Sequence, residues 1–571
     1  MRQVPTRGRR RAVLAALAAV AAICLGALTA REPLSRAIRG RIDAGAARLG
    51  LVARVDTVRL GLWPPLRLTG VALEGKGGLR LNARSVEAWW PGRTQLTVSR
   101  AALVGPAGLT VAAEFTAWEV SGLFRDDTRA ALVEPRSGLV LTRTTGPDRQ
   151  DLWRIETTDL PIDKVLDVRR FDRPLLDGGI VRGSLALTTS AGHAGLDINL
   201  VAHEVRLPAL TGDGSAPRAL GEPTDLLVQV AGSWRRSEGV LDVHRWGVTI
   251  DGAVLSGSIA LRDLDTDPAI DVSLDAERVD FARLLRTAGL VSPAGAGSAD
   301  AASAAGDLGS ATLAARARGR LSDPSSFVVT QKLDFTPPQH MPPAIQRLRG
   351  GFVHEIMLTS GGTRAIDVSP ASPDFIPLSE VPPLFIQALL LGEDAGFYGH
   401  PGIDLREVPA ALLTDWARRG AARGASTISQ QLAKNLFLSR AKQVGRKLQE
   451  LSLTLLLESA LGKDRILEIY LNVIEWGPGL NGLRPASRAY FGREPRDLTP
   501  CQTAFLVSLI PAPVKYQSSF TRGTPGPGLR QLVDNLLGKL RSVDALTEEE
   551  YRKALDEPLV VSTAASNAGG D

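Results

Sequence analysis

The spacing of apolar residues changes character three times along this chain. An uncharged apolar run, Ala12 to Ala30, follows a start that carries Arg2, Arg7, Arg9, Arg10 and Arg11. About 20 apolar residues span the hydrocarbon core of a bilayer, so residues 12–30 are expected to form a retained transmembrane helix, with residues 1–11 as a basic cytoplasmic tail. A cleaved signal peptide is the competing reading, but Leu28 stands where cleavage before Arg31 wants a small residue. Beyond the run, Leu34, Ile38 and Ile42 recur at i, i+4 and i+8 among Arg36, Arg39 and Arg41. That spacing predicts an amphipathic basic helix suited to anionic headgroups.

From about Val58 the period becomes two, as in Val58-Arg-Leu60-Gly-Leu62, Leu79-Arg-Leu81 and Leu96-Thr-Val98. Alternation with glycine punctuation predicts short antiparallel strands with one buried face. Asp177-Gly-Gly-Ile180-Val-Arg-Gly183-Ser-Leu-Ala-Leu187 returns as Asp251-Gly-Ala-Val254-Leu-Ser-Gly257-Ser-Ile-Ala-Leu261, and Leu196-Asp-Ile198-Asn-Leu200 returns as Ile270-Asp-Val272-Ser-Leu274. Since 257 minus 183 and 270 minus 196 both give 74, the offset is constant and a duplicated hairpin is expected. Residues 291–317 are rich in Ala, Gly and Ser, which predicts a flexible segment interrupting the sheet. Strand-like alternation resumes near Phe327 and again from Gly351 to Leu358. The text turns helical from Pro382, with later helices over Leu529 to Leu540 and Thr547 to Leu555, and the small polar tail from Ser562 predicts disorder.

Composition mainly removes alternatives. With 44% hydrophobic and 22% charged residues the chain is globular, and a net charge of +6 over 571 residues gives no support to a nucleic-acid partner. Cys24 lies in the apolar run and Cys501 in the helical region, which leaves no structural disulfide within the chain. His193, His203 and His244 have no metal-ligand spacing. Neither a Walker A sequence nor a dinucleotide fingerprint occurs. Ser439-Arg-Ala-Lys442 matches S-x-x-K, but no Lys-Thr-Gly or Ser-Asp-Asn follows, so the match is chance.

Candidate chemistry concentrates between Gly392 and Glu450. The block Glu393-Asp394-Ala-Gly-Phe397-Tyr-Gly-His400-Pro-Gly402 sets Glu393 and Phe397 one helical turn apart, with His400 and Gly402 at a helix exit. A carboxylate against an aromatic ring can have a raised pKa and serve as a general base; a helix-terminal charge is the plain alternative. In Gly424-Ala-Ser426-Thr427-Ile-Ser-Gln430-Gln431-Leu-Ala-Lys434-Asn435, Ser426 is the expected N-cap. Thr427, Gln431, Lys434 and Asn435 then share one polar stripe, and Ile428, Leu432 and Leu436 an apolar one. Such a polar face suits an anionic oxygen cluster, and it also suits an ordinary capped surface helix. Arg446 and Glu450 stand at the i, i+4 spacing of an ion pair. Three further blocks follow, Lys463 to Asn472, Glu475-Trp476-Gly477 with Tyr490-Phe491-Gly492, and Leu506 to Pro513.

Taken in order over roughly residues 365–525, these blocks resemble the peptidoglycan glycosyltransferases (glycosyltransferase family 51), the enzymes that polymerise lipid II into glycan strands. Trp476 and the Pro-Ala-Pro ending are most similar to the monofunctional biosynthetic transglycosylases. One departure is Gly482-Leu483-Arg484-Pro485, where the family usually has a Glu; it bears on local helix structure and one acidic contact. The resemblance implies inverting transfer with release of undecaprenyl diphosphate, Glu393 being the general base. Thr427, Gln431, Lys434 and Arg446 would then surround the leaving diphosphate. Glu450 would be a second essential carboxylate that orients Lys and Arg groups or holds an optional divalent cation, Mg or Mn; no other cofactor is implied. Asp394, Phe397, His400 and Asn435 would shape the site. Leu405 to Arg423, with Trp416 beside Arg418 and Arg419, would dip into the bilayer, a buried amphipathic helix being the alternative.

The β-rich part looks like the AsmA-type envelope proteins, with a structural spacer as an equal reading. The expectation is therefore a multidomain protein: an N-terminal transmembrane helix, a β-rich, repeat-containing AsmA-like region over 31–360, a mainly α, lysozyme-like glycosyltransferase domain over 361–561, and a disordered tail at 562–571. It would sit in the bacterial inner membrane with its bulk in the periplasm. Its expected partners are lipid II, the growing glycan strand, the lipid bilayer and other cell-wall synthesis proteins, and no nucleic acid. Two alternatives stay open. One is a wall glycosidase using Glu393 and Glu450 as a carboxylate pair; the other is a lipid-binding or scaffolding envelope protein with an inactive domain.

Overall fold

A computed structural model describes residues 31–48, 51–60, 66–75, 80–88, 94–104, 109–113, 118–121, 129–134, 138–146, 150–162, 166–170, 173–174, 178–207, 222–287, 307–357, 363–406, 426–438, 445–513 and 524–562. The anchor expected at 12–30, residues 407–423 of the Leu405–Arg423 segment expected to dip into the bilayer, and most of the tail lie outside these. Among the described residues no helix is long and apolar enough to cross a membrane. The basic helix does form, as α1 (Arg31–Arg48). Its Arg39 donates to the carbonyls of Val55 and Asp56 at 3.1 and 3.2 Å.

Two compact units divide the chain, Met1–Pro208 with Pro223–Gly247, and Ala209–Glu222 with Val248–Asp571. The first is antiparallel β. Strands Leu51–Leu60, Leu66–Gly75, Arg80–Ala88 and Thr94–Val104 pair in succession, as period-two alternation requires. Further along, Asp151–Pro161, Ile180–Ser190, His193–Val205 and Thr224–Arg235 do the same.

The repeat seen in the sequence is a repeat of register. Gly183 faces Leu200 and Leu187 faces Leu196 in the first hairpin. In the second, formed by β1 (Ala253–Arg262) and β2 (Ala269–Asp280), Gly257 faces Leu274 and Leu261 faces Ile270, so each pairing moves by the same 74 residues.

The second unit carries β1 and β2 onward into β3 (Ser310–Arg320) and β4 (Asp323–Thr336), all antiparallel. This corrects the flexible reading of 291–317: residues 310–317 are strand, and 291–306 lie outside the described residues. The period was disguised because three of the inner positions of β3, Ala311, Ala315 and Ala317 beside Leu313, hold alanine, which carries little hydrophobic signal. Its outer positions hold Arg316 and Arg318, both paired to Asp271, at 2.8 and 3.0 Å. On β4, Leu333 and Phe335 pack against the helical core. The expected boundary between residues 360 and 361 therefore falls inside this unit. A short helix, α2 (Phe281–Thr287), buries Phe281 and Leu285 in the same core.

The core itself lies among α3 (Pro383–Glu393), α4 (Ile428–Phe437), α5 (Gly445–Ala460), α6 (Lys463–Val473), α7 (Leu483–Phe491), α8 (Pro500–Leu509), α9 (Pro527–Ser542) and α10 (Glu548–Asp556). Phe385, Leu389, Leu467, Phe505 and Leu537 are fully buried in it. Trp476, also fully buried, donates its indole N–H to the Leu506 carbonyl at 3.0 Å, and the Tyr490 hydroxyl donates to the Trp476 carbonyl at 2.8 Å. The Arg484-Pro485 departure leaves α7 intact. Pro485 is the third residue of that helix, in the first turn, where its missing N–H removes no helical bond. Arg484 takes acidic partners of its own, Glu380 at 2.7 Å and Glu494 at 3.1 Å.

Asn472 joins α6 to the strand-like approach to α3. Its Nδ2 donates to the carbonyls of Ile376 and Glu468 at 2.9 and 2.8 Å, and its Oδ1 accepts from the Ile376 N–H at 2.9 Å. Because Asn472 is buried, Asn472→Ala strands two backbone groups of Ile376. It is expected to cost about 2–4 kcal/mol in urea unfolding, whereas a loss below about 1 kcal/mol would contradict this account of the joint.

Candidate active site

α3 starts at a proline, whose fixed φ suits a first helical turn, and continues as an almost wholly apolar helix to Glu393. Asp394, with φ −162°, ends it. The chain therefore leaves the helix between Glu393 and Phe397, so helical i, i+4 spacing does not relate the two. The fully buried Phe397 ring meets Tyr398 edge-on, and the Lys463 ammonium lies 4.5 Å from its centroid.

Asp394 turns inward. Its carboxylate lies 2.9 and 3.1 Å from His400 Nε2 and accepts the Ile428 N–H, the first of α4, at 2.9 Å. The Gly402 N–H donates to His400 Nδ1 at 3.0 Å, so the imidazole carries its proton on Nε2 and donates it to Asp394. The Thr427 hydroxyl donates to the Gly402 carbonyl at 2.6 Å and accepts from the Gln430 N–H at 3.2 Å. Gln430 Oε1 accepts from the Thr427 N–H at 3.0 Å, which completes a capping box. Thr427, not Ser426, is therefore the N-cap, and its side chain is committed to the cap rather than to the polar stripe.

Along α4, Ile428, Leu432 and Leu436 are buried as their spacing predicted. On the other side Gln431 Nε2 donates to Glu393 Oε2 at 2.7 Å, and Gln431 Oε1 accepts from the Tyr470 hydroxyl at 2.9 Å. Burial, with the Glu393 and Asp394 charges nearby, pushes the Tyr470 phenol well above its ordinary pKa, so it remains a donor. Lys434 lies one turn beyond Gln431, half-buried, with Asn435 beside it. Glu393 and Lys434 are thus linked through one helix face.

Glu450 is buried on α5; the Arg446 side chain expected to pair with it lies outside the described ones. Lys447, one turn before it, donates to Glu450 Oε1 and lies 3.4 Å from the Ser426 hydroxyl. Sequence reasoning missed this residue although it stood inside the quoted block. It also missed Tyr470, and a partly buried cluster in which Glu458 accepts from Ser429 and from Lys463, the latter at 2.7 Å.

A profile of the transglycosylase family matches residues 363–525, which span this whole arrangement. Proteins named biosynthetic peptidoglycan transglycosylase align with the same chain. That of Nitrosomonas eutropha is 52% identical over 132 residues, 23% of this chain and 54% of its own. That of Azoarcus sp. is 39% identical over 166 residues, 29% of this chain and 70% of its own. That of Nitrobacter winogradskyi is 38% identical over 185 residues, 32% of this chain and 78% of its own. The chain belongs to the biosynthetic peptidoglycan transglycosylases. It spans between about half and four fifths of the length of these relatives.

Within this transglycosylase, the donor set near Glu450 is one carboxylate already paired to an ammonium. Among the described residues no group of three or more His, Cys, Asp or Glu converges to hold a metal ion.

His354, on strand Phe352–Met357, is buried, and its ring is hydrogen-bonded to the Asn435 backbone. Burial, with Arg347 adding to it, lowers its pKa below 6.5. The unfolded chain then binds more protons than the folded one below about pH 6.5, so stability is complete above that value and is lost as pH falls toward the folded pKa. The transglycosylase is expected to melt at a lower temperature at about pH 5.5 than at about pH 7, and His354→Gln to flatten that slope. An equal slope in the variant would contradict the assignment.

Proposed function

We propose that this protein polymerises lipid II into glycan strands at the outer surface of the inner membrane, anchored there by residues 12–30. The observation that carries the reading is the Tyr470–Gln431–Glu393 relay. A neutral amide donor holds one oxygen of Glu393, and the phenol behind it fixes which end of the amide points there. In this reading Glu393 accepts the proton of the acceptor sugar's 4-hydroxyl as that oxygen attacks the anomeric carbon of the lipid-linked donor. A carbon–oxygen bond forms on one face, the bond to the diphosphate breaks on the other, and undecaprenyl diphosphate leaves. Lys434, one turn along α4 from Gln431, would supply fixed positive charge to the departing oxygens, and Lys447 brings a second ammonium beside Glu450 and Ser426. Arg446 belongs to the same reading by its position in α5. The bilayer-facing role of residues 407–423 and the partnership with other wall-synthesis proteins are part of the proposal, supported by sequence pattern alone.

A wall glycosidase would have no diphosphate to bind and no use for these ammonium groups, and an inactive scaffold no use for the relay. Incubating the full-length protein with lipid II and, separately, with isolated cell wall distinguishes the three. The expected result is glycan polymer from lipid II, a fall of roughly 10²–10⁴-fold for Glu393→Gln, and no digestion of wall. Release of wall fragments, or no product from either substrate, would contradict the proposal.

A further inference from the structure

On β4 the inward-facing side chains are Phe327, Val329, Gln331, Leu333 and Phe335. Gln331 is the one polar group in that row, and an amide on an apolar face is unfavourable unless both its ends are paired. Both are. Gln331 Nε2 donates to the Ile403 carbonyl at 2.9 Å, and the Leu405 N–H donates to Gln331 Oε1 at 2.8 Å. The side chain binds the segment as a neighbouring strand would.

That segment is continuous with the site. Gly402 has φ +89°, and a β-carbon there would lie 2.7 Å from Glu458 Cγ and 2.9 Å from Thr454 Cγ2, so the backbone is pressed against α5. The Gly402 carbonyl takes the hydroxyl of Thr427, and its N–H fixes the His400 tautomer. Just beyond, Asp404 is buried and accepts from the Arg406 backbone and guanidinium, at 2.9 and 2.8 Å, which closes the stretch on its far side. The loop from Asp394 to Leu405 is therefore gripped by the cap of α4 at one end and by β4 at the other.

We infer that Gln331 is a positioning residue for glycan transfer, through which β4 sets the loop that orients α4, and with it the Gln431–Glu393 contact. This rests on the transglycosylase reading given above. β4 is then a working part of the site.

The test compares full-length wild type, Gln331→Met, which keeps length and loses both hydrogen bonds, and Val328→Ala, an exposed neighbour on the opposite face. Three readouts are taken: steady-state polymerisation of lipid II, thermal melting, and amide exchange of the peptide covering residues 426–431. Gln331→Met is expected to lower kcat by about tenfold, leave KM within about twofold, and speed exchange at the Ile428 and Gln430 amides, while Val328→Ala matches wild type. Gln331→Glu, which keeps the acceptor for Leu405, should fall between them, and it stands in if the Met variant does not fold. A kcat within about twofold of wild type with unchanged exchange at residues 426–431 would overturn the inference, as would a purely thermal effect at full kcat. Wild type that makes no polymer would instead overturn the functional reading, and the exchange comparison would still decide whether Gln331 orders α4.

Discussion

One buried carboxylate holds the catalytic end of this molecule together. Asp394 follows directly on the last residue of α3, and it would be costly to bury without partners. It has two good ones: the His400 ring N–H, and the first N–H of α4, where the helix dipole favours a negative charge. Through these contacts the exit of α3 is fixed against the entry of α4. The adjoining Glu393 then meets Gln431 one turn into α4, and Tyr470 completes the relay from α6.

Much of this was legible in the sequence, and the reasons differ from place to place. The constant 74-residue offset was enough to anticipate register, since a hairpin copied without a gap keeps its cross-strand partners. The apolar stripe of α4 was equally plain, because Ile428, Leu432 and Leu436 can only lie on one side of a helix. The cap was misplaced by one residue although the signal was present: Thr427 has Gln430 three residues on and forms a capping box, whereas Ser426 has Ser429 there. The i, i+4 rule pointed from Glu450 to Arg446, whose side chain lies outside the described ones; it passed over Lys447 at i, i+3, an equally close spacing on a helix, which donates to the carboxylate.

What was not legible shares one property, distance along the chain. β3 was read as linker because alanine contributes little to a hydrophobic period, and only its register with β2 and β4 shows that the small side chains form a packed row. Nothing near Gln331 announces that its amide reaches residues more than 70 positions away. Phe397 was expected over Glu393, but the end of α3 depends on the pull of Asp394 toward α4. The β-rich region and the helical region read as separate texts in sequence, and in the second compact unit they share one core.

The claim most open to attack is that Asp394 and Gln431 act as one device, both of them through the placement of Glu393. A double-mutant cycle on kcat/KM with Asp394→Asn, Gln431→Met and the pair tests it directly. The account predicts strong non-additivity, a coupling of about 1 kcal/mol or more, because once either residue is lost Glu393 is already misplaced. Effects that add to within about 0.5 kcal/mol would mean that the two residues work independently, and would contradict it.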